Sequence, residues 1–238
     1  MRRGLLLLVT CSLVGPVASA HACAGIEGAR AGTSWSAKIA VPATAARSLP
    51  AAGRIVAHLG TELAEPGHAP VRVRVLGARS MAGACWLHVV LPTRPNGSSG
   101  WIASDRTMLF ATRWRIEINR GARLLTVWHD GRAVRRVTAD VGARATPTPA
   151  GRFSVLWARP MVRNRALGPW ILPISAYSDV LQRFAGGPGR IAIHGWSAGG
   201  PFGRATSHGC ARVADDAISW LVSTIGATQI AGVPVDIT

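Results

Sequence analysis

Short apolar segments broken by glycine and proline are the feature that most limits what this chain can fold into. The segment VRVRV (71–75) alternates apolar residues with arginine, and CWLHVVLP (85–92) and SSGWIAS (98–104) follow it on either side of RPNG (94–97). Alternation with a period of two is typical of a half-buried β-strand, and glycine or proline marks the turns. The 27 glycines and 15 prolines among 238 residues therefore favour a mainly β protein.

The second half of the chain continues this pattern and adds one helix. LLTVWHD and AVRRVTADVG are expected to pair as a hairpin around an Asp130-Gly131 turn. IAIHG (191–195) predicts a short strand, and VADDAISWLVSTI (213–225) repeats apolar residues every three or four positions, as a buried helix face does. Asp215 stands in the first turn of that helix, where we expect it to act as the cap.

Composition divides the chain into four parts. Residues 1–20 combine two arginines near the start, a short apolar run and an Ala-Ser-Ala ending, which predicts a secretory signal peptide. Residues 21–50, rich in alanine and glycine, are interpreted as a linker. A small β module is expected over 51–112 and a second β domain over 113–238. We therefore expect the protein outside the cytoplasmic membrane, either secreted or associated with the cell envelope.

The net charge points to an anionic partner. Without the two arginines of the signal peptide, 25 basic against 11 acidic residues leave a charge of about +14. Outside a bacterial cell, such a charge favours acidic wall polymers or lipid headgroups. Nucleic acid is the competing partner, but no nucleic-acid-binding motif is present in the sequence and the export signal argues against it.

The cysteine count leaves at least one thiol free. Cys11 is lost with the signal peptide, so Cys23, Cys85 and Cys210 remain, and three is an odd number. In an oxidising compartment Cys23 and Cys85 are candidates for a disulfide. Cys23 is alternatively a lipid-anchor cysteine, although the residues before it fit such a site poorly.

The segment TSHGCARV contains the residues that a cysteine nucleophile needs. Cys210 lies between a strand-like segment and a helix, and a helix N-terminus or an imidazolium lowers the pKa of a thiol. His194 and His208 are candidate bases. Gly209 allows a substrate to approach the backbone, and Arg212 supplies a positive charge for a carboxylate or a thiolate.

Two other interpretations of these residues remain open. A lone cysteine often serves as a small buried hydrophobe. His194, His208 and Cys210 would also suit a zinc ion, but the His-x-Cys spacing is tight and no fourth ligand is evident. Neither a metal nor another cofactor is expected.

The extended pattern resembles the signature of the L,D-transpeptidase family, with its YkuD-type catalytic domain. That signature is a histidine, here His194, then a spacer, then Ser/Thr-His-Gly-Cys-x-Asn/Arg, here residues 207–212. The resemblance continues upstream in TPTPAGRFSV (146–155) and in SAYSDVLQRFAGGPGRIAIHG (175–195), and it covers roughly 113–238. The preceding residues are similar to the small β module of some bacterial relatives.

The resemblance implies a fold and an activity. The fold would be a β-sandwich with a short helix after the cysteine, preceded by a small SH3-like β module. The activity would be formation of 3→3 peptidoglycan cross-links between a donor tetrapeptide stem and an acceptor amine, through a thioester acyl-enzyme. Carbapenem-type inhibitors are then expected to acylate the thiol. An L,D-carboxypeptidase using the same site, and a non-catalytic wall-binding protein, are the alternatives.

The resemblance also assigns roles to individual residues. Cys210 matches the nucleophile, His194 the residue that takes its proton, and Gly195 the residue whose carbonyl orients that imidazole. The rest of the motif shapes the substrate and oxyanion site, and its members are Ser207, His208, Gly209 and Arg212. Trp196 is expected either to line the cleft or to pack in the core.

Overall fold

The computed structural model describes residues 18–27, 31–63, 70–162 and 165–238. Most of the predicted signal peptide, residues 1–17, lies outside these ranges. In the described part of the chain, no helix has the length and hydropathy needed to cross a membrane.

One antiparallel sheet of seven strands forms the N-terminal module. Its strands are β1 (Ser34–Ile39), β2 (Ala43–Arg47), β3 (Ile55–Gly60), β4 (Arg72–Met81), β5 (Ala84–Val90), β6 (Ser99–Ala103) and β7 (Thr107–Thr112). They lie in the order β3-β2-β6-β5-β4-β1-β7. Helix α1 (Ala18–Glu27) joins this sheet through a disulfide between Cys23 and Cys85, which confirms that pairing. The SH3-like character of the module stays a prediction.

The interpretation of residues 21–50 as a linker is wrong, since helix α1 occupies its start as far as Glu27 and two strands occupy its second half. Strands β1 and β2 both lie within it, and β1 sits inside the sheet between β4 and β7. Strand β2 buries only Thr44 and Ala46. Because such small side chains give a weak alternation signal, the strand becomes visible only through its pairing with β3 and β6.

The C-terminal domain contains the remaining strands. They are β8 (Trp114–Asn119), β9 (Leu124–His129), β10 (Arg132–Thr138), β11 (Val141–Gly142), β12 (Gly151–Ser154), β13 (Arg159–Pro160), β14 (Trp170–Tyr177), β15 (Arg190–His194), β16 (Ala205–Ser207), β17 (Ala211–Arg212) and β18 (Pro234–Ile237). A five-stranded sheet has the order β10-β9-β8-β18-β12, and a four-stranded sheet has the order β13-β14-β15-β17. Strands β11 and β16 pair separately. The predicted mainly β fold is confirmed.

Buried side chains from both larger sheets and from helix α2 (Asp215–Ile225) form one core. Ile116 on β8, Ile193 on β15 and Ile218 on α2 are all fully buried in it. The helix cap differs from the expectation, because Ala214 holds the N-cap position without a side-chain hydrogen bond and Asp215 is already helical. The acidic side chain is therefore available for contacts elsewhere.

The backbone confirms the predicted hairpin around Asp130 and Gly131. Strands β9 and β10 form an antiparallel hairpin, and its turn residues Asp130 and Gly131 have φ angles of +53° and +72°. Positive φ at both positions is the geometry of a type I′ turn, which suits the twist of a two-residue hairpin.

The module and the domain are joined by arginine contacts. Arg74 on β4 donates to Asp236 on β18 over 2.5 Å, and it also reaches the carbonyl oxygen of Phe153 on β12. Both ends of this ion pair are largely buried. Arg94 makes a second such contact, because its guanidinium donates to backbone carbonyl oxygens in the segment before β15.

Candidate active site

Strand register brings the cysteine and the histidine together. β15 and β17 are parallel, with Ile193 opposite Ala211 and His194 opposite Arg212. Cys210 precedes β17 directly. Since side chains two positions apart in extended backbone point to the same face, the pairing directs Cys210 and Arg212 to the face that carries His194.

His194 is buried and its ring is fixed by its neighbour. Its Nδ1 lies 2.5 Å from the carbonyl oxygen of Gly195, the contact that the resemblance implied. A carbonyl only accepts, so Nδ1 carries the proton and Nε2 keeps a lone pair. The pKa of His194 is lowered from 6.5 to about 4, mainly by burial and also by the positive charge of Arg212, against the opposing effects of the Gly195 hydrogen bond and of Asp215. The imidazole is therefore neutral near pH 7 and able to accept a proton at Nε2.

Cys210 is half-buried and is the one free thiol among the described residues. Burial raises its pKa, against the opposing effects of a hydrogen bond from the backbone of Ala192 and of the Arg212 charge. The sequence suggested a thiol with a lowered pKa, and the structure corrects this expectation. The thiol and the imidazole are therefore both neutral in the resting site, so a thiolate forms only when a base accepts its proton.

The backbone of Gly209 is held from both sides. Its N–H donates to Ser207 Oγ over 3.0 Å, and its carbonyl accepts from Thr148 Oγ1 over 2.8 Å. The φ angle of Gly209 is +122°, a conformation that residues with a side chain rarely adopt, so glycine is favoured here. Ser207 Oγ itself donates to the carbonyl of Cys210 over 2.6 Å. The Gly209 N–H is therefore already hydrogen-bonded within the loop, to Ser207 Oγ.

The N–H groups of His208 and Cys210 have no hydrogen-bond partner within the described residues. Both belong to the turn that leads into β17. They are thus the backbone donors in this segment that remain available to a substrate oxygen.

Sequence reasoning missed the role of the threonine-proline stretch. Thr148 is buried, accepts a hydrogen bond from the N–H of Gly142 and donates to the carbonyl of Gly209. Thr146 Oγ1 reaches the carbonyl of Ser207 over 3.2 Å. The TPTP pattern was noted for its resemblance, but a role in fixing the cysteine loop needs contacts over 61 residues of sequence.

Asp215 is the second residue that was missed. Its Oδ2 accepts a hydrogen bond of 2.5 Å from Ser197 Oγ, and its Oδ1 is buried without a partner in the described part of the chain. A Cβ on Gly195 or on Gly168 would lie 2.4 Å from this Oδ1. The carboxylate is thus packed directly against Gly195, whose carbonyl orients His194, and both positions require glycine.

Arg212 and Trp196 form a stacked pair beside the imidazole. The guanidinium carbon lies 4.0 Å from the centroid of the Trp196 ring, and the Trp196 and His194 ring centroids are 6.4 Å apart. Cation–π contact places the arginine charge near the thiol and the imidazole. Trp196 is half-buried in this arrangement, and its expected contact with substrate stays a prediction.

His208 has a different environment from His194. Its side chain is exposed, and its ring stacks on Phe184 with centroids 4.8 Å apart. The His194 ring therefore contacts the Gly195 carbonyl that orients it, whereas the His208 ring contacts Phe184 on another loop.

Within the described ranges, no group of three histidine, cysteine or acidic side chains is placed to hold a metal. A groove of about 690 Å³ lies elsewhere, between the module and the domain, lined by residues such as Arg72, Phe110 and Trp114. Side-chain geometry, and not cavity size, identifies the site around Cys210.

A free thiol beside a neutral, oriented imidazole on a β-sheet is the arrangement of enzymes that use a cysteine nucleophile. A family model for the L,D-transpeptidase catalytic domain (YkuD) matches residues 113–237, more than half of the chain. The protein belongs to this family.

Solved structures of L,D-transpeptidases give partial likenesses. One from Enterococcus faecium is 19% identical over 52% of this chain and 49% of that chain, with a TM-score of 0.41, so this chain spans about half of its length. One from Xylanimonas cellulosilytica is 29% identical over 52% and 60%, with a TM-score of 0.38. One from Mycobacterium smegmatis is 18% identical over 70% and 99%, with a TM-score of 0.41. A search of curated proteins finds no match.

Proposed function

We propose that this protein is a cysteine-dependent L,D-transpeptidase that forms 3→3 cross-links in peptidoglycan. The donor is a tetrapeptide stem, cleaved between the L-centre of meso-diaminopimelate and the terminal D-alanine. The acceptor is the side-chain amine of a second stem. The observation that carries the proposal is the neutral, buried His194, held at Nδ1 by Gly195, on the face that also carries the free thiol of Cys210.

Acylation begins with proton transfer from the thiol to Nε2 of His194. The sulfur then forms a bond to the donor carbonyl carbon, and the N–H groups of His208 and Cys210 stabilise the oxyanion. The imidazolium returns its proton to the leaving nitrogen, the carbon–nitrogen bond breaks and D-alanine departs. The pKa of the thiol is raised and that of the imidazole is lowered, so the transfer is uphill without substrate. Attack is therefore coupled to donor binding.

Deacylation uses the same groups in the opposite direction. The acceptor amine loses a proton to His194 as its nitrogen attacks the thioester, and the released sulfur recovers a proton. Asp215 and the Gly195 carbonyl favour the transient imidazolium in both half-reactions. If water replaces the amine, the same steps give an L,D-carboxypeptidase.

The proposed location is outside the cytoplasmic membrane. The disulfide between Cys23 and Cys85 supports it, because such bonds persist in oxidising compartments. The excess of 27 basic over 11 acidic residues supports an anionic neighbour such as a wall polymer.

The proposal is tested by incubating the purified protein with a disaccharide-tetrapeptide and determining the product masses. A transpeptidase gives cross-linked dimers that have lost one D-alanine, and a carboxypeptidase gives the tripeptide stem alone. The Cys210→Ala variant is the matched control. Absence of both products with the wild-type protein, or their formation by Cys210→Ala, would contradict the proposal.

A further inference from the structure

A loop of the C-terminal domain brings an aromatic side chain to the motif that contains the cysteine. This 178–189 loop joins β14 to β15 and carries Phe184, whose ring stacks on His208. Phe184 is 46% exposed, so one part of its ring contacts His208 while another part remains open to a ligand. His208 is two residues from Cys210 in sequence, so the loop packs against the motif that contains the nucleophile.

The loop has a defined shape at its tip and at its base. At the tip, Phe184 and Gly187 exchange two backbone hydrogen bonds of 3.0 and 2.9 Å around a turn with positive φ angles. At the base, Ser178 Oγ accepts from the N–H groups of Val180 and Leu181. These bonds fix the loop internally but do not fix its position relative to the sheet.

Arg94 of the N-terminal module holds the loop in place. Its guanidinium donates to the carbonyl oxygens of Ser178 at 2.5 Å, Leu181 at 3.1 Å and Pro188 at 2.9 Å. The guanidinium also lies over the ring of Tyr177, 4.6 Å from its centroid. Within the described residues Arg94 has no carboxylate partner, so loop carbonyls and an aromatic face surround its charge. The planar fork of arginine is suited to bridging several carbonyls at once.

Asn96 adds a second attachment from the same turn of the module. Its Nδ2 donates to the carbonyl of Tyr177 over 2.7 Å and to Asp179 Oδ1 over 2.8 Å, and its Oδ1 accepts from the N–H of Tyr177 over 2.9 Å. The amide group therefore uses both its donor and its acceptor on the start of the loop. The RPNG segment, predicted only as a turn, is a contact between module and domain.

We propose that Arg94 and Asn96 are positioning residues that hold the 178–189 loop so that Phe184 forms an apolar wall for the aliphatic part of the donor stem. The N-terminal module then contributes to donor recognition without touching the reacting atoms. This inference rests on the proposed function.

The test compares full-length variants by two independent readouts. The first is deuterium uptake of the 178–189 loop, and the second is kcat and KM for the disaccharide-tetrapeptide. We compare Arg94→Ala, Arg94→Lys, Asn96→Asp and Phe184→Ala with Arg79→Ala, an exposed arginine of the same module. Labelling of Cys210 by iodoacetamide reports whether the thiol itself is unchanged.

For Arg94→Ala we expect faster deuterium uptake in the 178–189 loop, because the charge-assisted hydrogen bonds that hold the loop are lost. The KM should rise about tenfold, and kcat should stay within about twofold of the wild-type value. Asn96→Asp should act in the same direction, because a carboxylate would face Asp179 and a carbonyl. Arg94→Lys should give a KM between those of the wild type and Arg94→Ala. Phe184→Ala should raise the KM without increasing deuterium uptake at the base of the loop. Arg79→Ala and the iodoacetamide rates should match the wild type.

Unchanged uptake in Arg94→Ala, or a looser loop with an unchanged KM, would overturn the inference. An equal effect of Arg79→Ala would do the same. If Arg94→Ala does not fold, then Arg94→Lys and Phe184→Ala decide the outcome. If the wild type consumes no tetrapeptide, the proposed function and the donor-recognition role fail together, while deuterium uptake still decides whether Arg94 positions the loop.

Discussion

Thr148 Oγ1 donates a hydrogen bond of 2.8 Å to the carbonyl oxygen of Gly209, the residue before Cys210. Thr148 Oγ1 also accepts a hydrogen bond from the N–H of Gly142. One buried hydroxyl group therefore connects the threonine-proline segment to the cysteine loop.

Replacing Thr148 by valine should loosen that loop. The change keeps the shape of the side chain but leaves one buried carbonyl and one buried N–H without a partner, at a cost of about 1–3 kcal/mol each. We expect a lower melting temperature and a carbapenem acylation rate reduced about tenfold or more, since a small misplacement of a nucleophile is costly. Thr148→Ser, which keeps the hydroxyl group, should stay near the wild type in both measurements. Equal loss in both variants would contradict the role of this hydrogen bond.

The burial of His194 makes the stability of the fold depend on pH. The pKa of His194 is about 4 in the folded protein and 6.5 ordinarily, so between these values the unfolded chain binds more protons. The free energy of unfolding should therefore fall as the pH is lowered from 6.5 to 4, by up to about 3 kcal/mol from this group. Urea unfolding across this window should show a smaller decrease for His194→Gln than for the wild type. Parallel curves would show that His194 does not titrate as described.

His194 and His208 should differ in their effects on catalysis. Loss of a general base costs roughly 10²–10⁴-fold in rate, so His194→Ala should lower carbapenem acylation by that order. Its pH profile should also move upward toward that of the unassisted thiol, whose pKa burial raises. His208→Ala should have a smaller effect, because His208 is exposed and packs on Phe184. If only His208→Ala lost activity, the two roles would have to be exchanged.

Cys210 should react with thiol reagents much faster than Cys23 and Cys85. In the native protein without reductant, a thiol reagent should modify Cys210 and leave Cys23 and Cys85 intact, because those two are joined. Reductant should expose both of them to labelling after unfolding. Their double replacement by alanine should destabilise the protein by about 2–4 kcal/mol, the range for disulfides that close long loops. Intact-mass measurement and thermal unfolding check these outcomes, and rapid native labelling of Cys85 would contradict them.

Local patterns in the sequence were sufficient for part of the fold. The Asp130-Gly131 turn specifies its own hairpin, and the three-four spacing of 213–225 predicts α2, because both signals involve neighbouring residues. Strand β2 was missed because its only buried side chains, Thr44 and Ala46, are small and give a weak alternation signal, and because one of its two partners, β6, lies far along the chain.

In the site, too, local sequence patterns predicted some of the residues and not others. The motif indicated Cys210, His194 and the Gly195 carbonyl, because these roles depend on residue types at short spacing. The contributions of Thr148 and Asp215 were not predictable, since they arise from segments that only the folded sheets bring together. The raised pKa of the thiol also depends on burial, which no local pattern encodes.

The central claim is that Cys210 carries the acyl group of the donor stem. The most direct measurement is rapid-quench intact-mass spectrometry of the wild type, Cys210→Ala and Cys210→Ser with a tetrapeptide donor, combined with quantification of released D-alanine. We predict that the wild type gains the mass of the donor less D-alanine, on the peptide that contains Cys210, and that neither variant shows this adduct or releases D-alanine at a comparable rate. An adduct on another residue, or full D-alanine release by Cys210→Ala, would contradict the account.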